Sequence, residues 1–400
     1  MNESLTMNVV RRAVQGTAAA FRCVSELQPA GGSGDKVFPP TYEGGRYATE
    51  IRYVEGREVS CVLLDSVQSQ ANRLELALLE AHRAGRVRLP LVITRFDQQG
   101  LLKRFEVSSL EAPHRVADAL LRDSLLDGVI FRKSDKGRVL DTADTRHATG
   151  LFGLCPTALL FGLWDSTGPR GGMGAKFQRA LVSEIVGYDA VPGVKTSSRI
   201  DPAEIQKSAA VLLERRSDAL DAPAWTMDPA LGGKKLGKDG KPSEANHGNV
   251  TPGIQDGGFT ISKAIQTTVI SLPALRRLRF PLNGAPRSEP ATDLAARAVL
   301  VALGLASATL ARQDGDLRSR CQLVPQCAPV WELLDRPGET PAQFDLGADQ
   351  AIDLLNAAIE AARSAGLPWE GEIVLTPAPE LVKLVRRSQE LAASSGPEAP

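Results

Sequence analysis

The stretch Val59–Glu75, VSCVLLDSVQSQANRLE, decides how the rest of the chain can be organised. Its first part, Val59–Asp65, is short and rich in apolar and β-branched residues, which is typical of a strand. Beyond Leu74 the apolar residues continue at helical spacing up to Gly85. The stretch therefore predicts a strand that turns directly into a helix.

The turn between this strand and this helix is crowded with polar side chains. Asp65 and Ser66 are both suitable N-caps, and the start of a helix presents unpaired backbone N–H groups. Such groups suit the phosphate and sugar oxygens of a nucleic-acid backbone, which can be held without reading the bases. A well-capped helix with a polar solvent face accounts for the same residues, and the local sequence leaves both interpretations open. The polar side chains concerned are Ser66, Gln68, Ser69, Gln70, Asn72 and Arg73.

The arrangement S-x-Q-S-x-x-x-R after a strand resembles a signature of the backbone subunits of type I CRISPR surveillance complexes, members of the RAMP superfamily. The wording LLDSVQSQANRLE over residues 63–75 resembles the type I-G branch, formerly called I-U. The resemblance implies an α/β (α+β) fold with a ferredoxin-like, RRM-related palm, a helical insertion and an extended thumb. It also implies that the six polar residues of this turn contact the backbone of a CRISPR guide RNA.

The resemblance divides the chain into six parts and covers most of residues 1–330, with no function transferred beyond Val330. The parts are a first palm segment with the guide-contacting turn (1–112), a helical insertion (113–150), a palm return (151–186), a thumb-like insertion (187–258), a palm completion (259–330) and a C-terminal helical extension (331–400).

Local patterns add more detail to this division. Strands are predicted at 18–27, 90–96, 102–107 and 318–324, and a hairpin turn at Glu55-Gly56. Helices are predicted from 113 to 126 and at 202–216, 292–311 and 348–365, with a further helix after Pro377.

Composition limits the kind of nucleic-acid surface that is possible. Lys plus Arg and Asp plus Glu both total 47 in 400 residues, so the net charge is zero and any RNA surface must be a local patch. Five scattered cysteines without a CxxC pair indicate reduced thiols. No stretch is expected to reach the apolar length of a membrane span, and the N-terminus lacks a signal-peptide pattern. We therefore expect a cytoplasmic protein without a membrane partner.

The loop from Pro29 to Gly45 is rich in Gly and Pro, and the resemblance places a loop at this position beside the guide. Lys36 and Arg46 are then candidate phosphate contacts, and Tyr42 is a candidate stacking platform. An exposed loop that is merely soluble is the alternative.

A glycine-rich turn, Gly168–Gly174, invites comparison with phosphate-binding loops. A Walker loop needs Gly-Lys followed directly by Ser or Thr, and a dinucleotide fingerprint would need glycine where Phe177 stands. Neither motif is present. The remaining hypothesis is a basic loop that contacts the guide or a neighbouring subunit through Arg170, Lys176 and Arg179, and the alternative is a tight turn between packed elements.

The segment Trp225–Gly258 is dominated by Gly, Lys, Pro and Asn, which indicates a mobile surface segment outside the core. The resemblance implies a thumb here that reaches across the neighbouring subunit, with RNA contacts at Lys234, Lys235 and Lys238. A disordered loop without a role is the alternative.

The best candidate for acid-base catalysis is His147, which lies near Asp141, Asp144 and Arg146. A histidine on the surface of a polar loop, without a catalytic role, is the alternative. The four histidines are dispersed and none has metal-ligand spacing, so we expect no catalytic residue, metal or cofactor. A RAMP-type endoribonuclease that processes the guide precursor is the runner-up function. A scaffold whose polar turn contacts protein is a third possibility.

The function that we expect is a non-catalytic, repeated subunit that polymerises head-to-tail along the CRISPR guide RNA. It would present the guide for pairing with a strand of target DNA in antiviral defence, together with the other subunits of the surveillance complex.

Overall fold

The computed structural model describes residues 2–166, 174–216, 221–313 and 315–394, and within them the fold is a mixed α/β structure, as predicted. The strands are β1 (Glu3–Ser4), β2 (Ala20–Pro29), β3 (Thr41–Tyr42), β4 (Arg46–Tyr47), β5 (Thr49–Val54), β6 (Arg57–Asp65), β7 (Leu91–Phe96), β8 (Phe105–Ser108), β9 (Ser124–Leu126), β10 (Val129–Ile130), β11 (Leu163–Trp164), β12 (Lys176–Phe177), β13 (Leu181–Tyr188), β14 (Val191–Arg199), β15 (Leu213–Arg215), β16 (Trp225–Thr226), β17 (Gly232–Lys235), β18 (Val250–Thr260), β19 (Lys263–Ser271), β20 (Leu323–Pro325), β21 (Trp331–Leu334), β22 (Ala342–Asp345) and β23 (Glu372–Pro377). The α-helices are α1 (Met7–Gln15), α2 (Val67–Arg83), α3 (Ala119–Arg122), α4 (Val139–Thr142), α5 (Thr149–Leu154), α6 (Pro156–Phe161), α7 (Leu272–Arg276), α8 (Pro290–Gln313), α9 (Ala348–Ser364) and α10 (Pro379–Ser394). Short 3₁₀ helices occupy Glu43–Gly45, Arg115–Ala117, Phe131–Lys133 and Pro242–Ala245.

The central sheet has the strand order β1-β22-β21-β2-β19-β13-β6-β5, and β20 pairs with β2. Neighbouring strands are antiparallel except for the β1/β22 pair, which is parallel. Burial alternates from residue to residue along β19, because one face of the sheet is covered by helices and the other is more open. The covered face includes Gln266 and Thr268, two buried polar side chains at the inner end of the candidate site.

The predicted strand-to-helix turn is formed by β6 and α2. β6 ends at Asp65, and Ser66 is the N-cap, because its Oγ accepts a hydrogen bond from the Ser69 backbone N–H at 3.2 Å. The predicted hairpin turn is confirmed as well, since β5 and β6 meet at Glu55-Gly56 and both residues have positive φ.

Helix α8 is the central helix of the core and packs against α9, α2 and α1. By length and composition it could cross a membrane, so the expectation that no stretch reaches such a span is wrong for Pro290–Gln313. Most of this helix is buried inside the protein, and a helix that is enclosed on all sides needs the same apolar composition as a membrane span.

A second sheet has the order β10-β9-β23-β7-β8, with β23 parallel to β7. The prediction of a C-terminal helical extension at 331–400 is therefore wrong in part. β21 and β22 belong to the central sheet, β23 belongs to the second sheet, and α9 is buried against α8. Short strands such as these obtain their hydrogen bonds from distant partners, so the local pattern does not reveal them.

Two predicted helices are absent. Residues 113–126 hold a 3₁₀ turn, the single turn of α3 and strand β9, and Arg115 has a φ of 51°, which interrupts the helical path. Residues 202–216 contain β15 and no helix. The 113–150 segment is thus built from short pieces, two of which (β9 and β10) enter the second sheet.

A long two-stranded ribbon, defined as β14 (Val191–Arg199) and β18 (Val250–Thr260), leaves the central sheet. It continues the antiparallel pair β13/β19, since only two residues separate β13 from β14 and β18 from β19. The nine residues of β14 span roughly 30 Å at the usual rise per residue. The ribbon tip, defined as the described part of residues 200–249, contains the small sheet β16-β15-β17.

Candidate nucleic-acid interface

The polar turn at the start of α2 has an outer and an inner side. Gln68 and Asn72 are exposed and lie one helical turn apart, so they share the outer side. Ser69 and Arg73 are half-buried, and Gln70 is buried. The six predicted contact residues are therefore not equivalent, and two of them, Gln68 and Asn72, are exposed to solvent.

The inner side is organised by Asp65, whose carboxylate is completely buried. Its Oδ1 accepts hydrogen bonds from Ser69 Oγ at 2.8 Å and from Arg318 Nη2 at 3.1 Å. Its Oδ2 accepts from Gln70 Nε2 at 2.7 Å and from Arg73 Nε at 2.9 Å. Four donors satisfy a carboxylate that would otherwise be costly to bury, and two guanidinium groups against one carboxylate leave a local positive charge.

Gln70 is an internal residue rather than the exposed RNA contact that was predicted. It is 2% exposed, and its Oε1 accepts hydrogen bonds from Ser183 Oγ at 2.9 Å and from Gln266 Nε2 at 2.8 Å. Because its Nε2 donates to Asp65, the side chain links the turn to strands β13 and β19. Its place is fixed by residues more than 100 positions away, which the local sequence does not show.

Arg73 also connects the turn to a distant segment, residues 316–318. Its Nη1 donates to the carbonyl oxygen of Asp316 and its Nη2 to that of Leu317, both at 2.7 Å. Arg318 returns the contact by donating through Nη1 to the Leu64 carbonyl oxygen at 2.6 Å. Sequence reasoning missed Arg318, since nothing in its own neighbourhood indicates a partner at Asp65.

The loop at 29–47 lies between segment 316–320 and the base of the ribbon. The Arg320 guanidinium is 3.9 Å from the centre of the Phe38 ring, and Lys36 Nζ donates to the Val194 carbonyl oxygen at 2.7 Å. Tyr42 and Arg46 are exposed in the small β3/β4 hairpin of the same loop. The loop is therefore attached to segment 316–320 through Phe38, whereas Lys36 contacts the ribbon.

Lys176 lies in the β11/β12 hairpin. Its Nζ is 5.5 Å from the ring centre of Trp164, whose side chain is 60% exposed. Trp164 was not predicted as a site residue, although an aromatic residue beside a basic, glycine-rich segment is a signal for base stacking. Arg170 lies outside the described residues.

Arg179 is half-buried near the buried pair of Glu75 and Arg115. Burial, and secondly the charge of Arg115, lower the pKa of Arg179. Arg115 donates to both oxygens of Glu75, at 2.8 and 2.7 Å, and to the Gly162 carbonyl oxygen at 3.0 Å. Burial raises the pKa of Glu75 to about 7, against the opposing attraction of Arg115. This cluster attaches α2 to the segment that carries the β11/β12 hairpin.

The predicted lysines of the thumb are exposed, but they lie at the ribbon tip. Lys234 and Lys235 are in β17, Lys238 follows it, and Lys234 Nζ is 3.4 Å from Glu214. The ribbon separates these lysines from the turn, so the structure does not bring the two groups into one patch.

His147, the candidate for nuclease chemistry, is an exposed residue whose Nδ1 is 3.4 Å from Asp144 Oδ1. Its contacts are within its own short turn. In the described ranges no three His, Cys, Asp or Glu side chains are grouped so as to hold a metal ion.

Comparisons with known proteins bear on the same region. Residues 21–192 match the family model described as CRISPR-associated protein GSU0053, which is less than half of the chain but includes β6, the turn and α2. Among solved structures, the chain is similar to the crystal structure of Thermofilum pendens Csc2, with 13% identity over 96% of this chain and 80% of that chain. The TM-score of 0.26 is too low to establish a shared fold. No curated protein sequence matches the chain.

Proposed function

We propose that this protein is a non-catalytic, repeated subunit of a CRISPR RNA-guided surveillance complex, of the Cascade kind and the type I-G branch. It polymerises along the guide RNA in the cytoplasm and presents the guide for pairing with target DNA in antiviral defence. The observation that carries the proposal is the turn at the start of α2. This turn lies inside the segment that matches a CRISPR-associated family, and it presents neutral polar side chains outward.

The outer side of the turn suits a phosphate backbone. Gln68 and Asn72 donate through their side-chain amides, and the first turn of a 17-residue helix adds the positive end of its dipole. Neither group distinguishes one base from another, so the guide sequence can vary freely. The inner residues, above all Gln70 and Arg73, hold the turn in position without contacting RNA.

Cations beside the turn supply charge without making the whole protein basic. Arg318 and Arg320 lie on one side, with Lys36 and Arg46 on the adjoining loop. Lys176, in the β11/β12 hairpin, is a further candidate for an RNA contact. Such a local patch is compatible with zero net charge. Trp164 and Tyr42 are 60% and 46% exposed, and they can stack on nucleobases.

The proposal assigns the central sheet to a ferredoxin-like, RRM-related palm and the ribbon with its tip to the thumb. The ribbon and its tip expose several large apolar side chains, including Val194, Ile200 and Ile254, which a neighbouring copy would cover. A head-to-tail contact that does not close generates a helical filament, as a long guide requires. The mechanism is positional, because base pairing supplies the specificity.

The test is purification together with a CRISPR transcript, followed by light scattering and the ratio of absorbance at 260 and 280 nm. The variant Gln68→Ala/Asn72→Ala removes the outer side chains and leaves the inner contacts intact. Asn8→Ala/Gln15→Ala is the matched control, because it removes the same residue types from exposed positions of α1.

We expect an RNA-bearing oligomer from the wild type and the control and an RNA-free protein from the Gln68/Asn72 variant. A wild-type protein that purifies without RNA would contradict the proposed function. RNA binding that persists in the Gln68/Asn72 variant would show that the guide binds elsewhere on the protein. Assembly without RNA, insensitive to salt, would favour a protein scaffold.

A further inference from the structure

A cavity of about 530 Å³ lies on the inner side of the turn, behind the face that is assigned to RNA. Its walls come from the covered face of the central sheet, from α2, from the C-terminal end of α8 and from the chain between Gly315 and Trp331. Cavities of this size are typical of small-molecule sites. Neither the family match nor the proposed RNA contact accounts for it.

Arg312 places a positive charge in the wall of this cavity. Its Nε donates to Gln266 Oε1 and its Nη2 to Thr268 Oγ1, both at 3.1 Å, and the guanidinium lies 5.2 Å from the ring centre of Trp331. These two bonds use two of the five N–H donors of a guanidinium. Within the part of the chain that the structure describes, no carboxylate forms a salt bridge with Arg312. Burial lowers the pKa of Arg312, so its charge is held at a cost.

Two hydroxyl groups in the same wall also have unused hydrogen-bonding capacity. Thr309 Oγ1 is buried and has no hydrogen-bond partner among the described residues. Ser25 is 2% exposed. Among the described residues, its Oγ has one hydrogen-bond contact, with the Cys23 Sγ at 3.8 Å. A buried polar group without a partner is costly, and a ligand with several acceptor oxygens would satisfy it.

The remaining wall is of two kinds. Gln70 and Arg73 line the cavity, but their donors are directed to Asp65 and to segment 316–317. The other lining residues are mainly apolar, among them Leu27, Leu317 and Leu346. Among the residues that the structure describes, an occupant therefore meets the Arg312 guanidinium and two hydroxyls on one part of the wall and aliphatic side chains on the rest.

We propose that this cavity binds a small organic anion. A carboxylate or phosphate head group accepts hydrogen bonds from Arg312, Thr309 and Ser25, and an apolar or planar body packs against the leucine side chains. Both head groups match a guanidinium fork. The site requires no RNA, so it stands independently of the proposed guide binding.

The test is isothermal titration of the purified, RNA-free, full-length protein with benzoate and with phenyl phosphate, which carry the two head groups on the same ring. Benzyl alcohol is the neutral control ligand, and inorganic phosphate tests the head group without a body. We expect one of the aromatic anions to bind at least about tenfold more tightly than benzyl alcohol and inorganic phosphate, as a charge-assisted hydrogen bond predicts. The preferred anion identifies the head group.

Arg312→Met keeps an unbranched, largely apolar stem and removes the charge, and we expect an affinity loss of about tenfold or more. Arg363→Met, at an exposed position of α9, is the matched control and leaves the affinity unchanged. Thr309→Val removes one hydroxyl at nearly constant shape. It provides a second test of anion binding if the Arg312 variant does not fold. Equal affinity for benzoate, phenyl phosphate and benzyl alcohol, no binding of either anion at 10 mM, or unchanged anion binding in Arg312→Met or Thr309→Val would each overturn the proposal.

Discussion

Arg73 Nε donates to Asp65 Oδ2 at 2.9 Å, which joins the second turn of α2 to the end of β6. The same carboxylate accepts from Arg318, so the chain after α8 is attached at this point as well. One buried acid thus holds together a strand, a helix and a segment about 250 residues away. The polar signature serves two purposes: its inner residues build the turn, and its outer residues are left free for a ligand.

Asp65 is expected to be essential for folding stability. Asp65→Ala leaves Arg73 and Arg318 without their buried partner, and we expect a loss of about 3–5 kcal/mol in the free energy of unfolding, measured in urea. Asp349→Ala removes an exposed carboxylate that pairs with Arg86, and it should change stability by less than about 0.5 kcal/mol. Equal, small effects of both changes would contradict the assigned role of Asp65.

We expect Gln70 to be important for folding stability, and Gln68 and Asn72 to have little effect on it. Gln70→Ala leaves Ser183, Gln266 and Asp65 with lost hydrogen bonds, and we expect a destabilisation of about 1–3 kcal/mol. The exposed pair Gln68→Ala/Asn72→Ala should leave the thermal unfolding temperature almost unchanged. A Gln70→Ala protein of normal stability that binds RNA weakly would restore Gln70 as a direct contact.

The buried Glu75 predicts a specific dependence of stability on pH. Its pKa in the folded protein is about 7, above the ordinary value of 4.5, mainly because of burial, while Arg115 and Arg179 oppose the shift. Since the folded state holds the proton more tightly, this group stabilises the protein fully below pH 4.5. That contribution disappears as the pH rises through 7 and amounts to about 3 kcal/mol at most.

Glu75→Gln removes this titration, and it tests whether the contribution of Glu75 to stability falls as the pH rises. The stability difference between wild type and Glu75→Gln should therefore shift against the wild type as the pH rises from 4.5 to 8 in urea unfolding experiments. Glu80→Gln, one turn further along α2 and 69% exposed at its side chain, should show no such trend. A difference that shifts in favour of the wild type over this range would mean that Glu75 is ionised throughout by its pair with Arg115.

The success of the sequence-based predictions depended on how local the cause of each feature was. The β6-turn-α2 unit, the Glu55-Gly56 turn and the helices at 290–313 and 348–364 follow from neighbouring residues, so they could be predicted. The strand partners of β21 and β23 could not, since each pairs with a strand far away in sequence.

The candidate site divides in the same way. Gln68 and Asn72 could be selected from the local pattern, because exposure on a helix start follows from helical spacing. The inward direction of Gln70 and the roles of Arg312 and Arg318 depend on side chains from other elements, and no spacing in the sequence indicates them. The prediction assigned one role to all the polar residues of this motif, whereas the structure separates exposed members from buried, hydrogen-bonded ones.

The endoribonuclease alternative depends on His147. Among the described residues, the hydrogen bonds of His147 are to Asp144 in its own turn. We therefore expect purified protein to leave a guide-precursor RNA intact, and His147→Ala to behave like the wild type in a gel assay of cleavage. His114→Ala is a control for the loss of another histidine. Cleavage by the wild type that disappears in His147→Ala, but not in the control, would replace the non-catalytic proposal with a nuclease.

The ribbon provides a test of the proposed head-to-tail assembly that leaves the turn at the start of α2 untouched. Ile200 and Ile254 are 84% and 76% exposed, and a neighbouring copy that covers them would bury their apolar side chains. We expect Ile200→Ser/Ile254→Ser to keep its thermal stability and to bind a short RNA that holds one copy, but to form much smaller particles on a long guide in light scattering. Leu384→Ser, 67% exposed on α10, should assemble normally. Full-length particles from the Ile200/Ile254 variant would show that copies contact each other elsewhere, because these are the two most exposed large apolar side chains among the described residues of the ribbon and its tip.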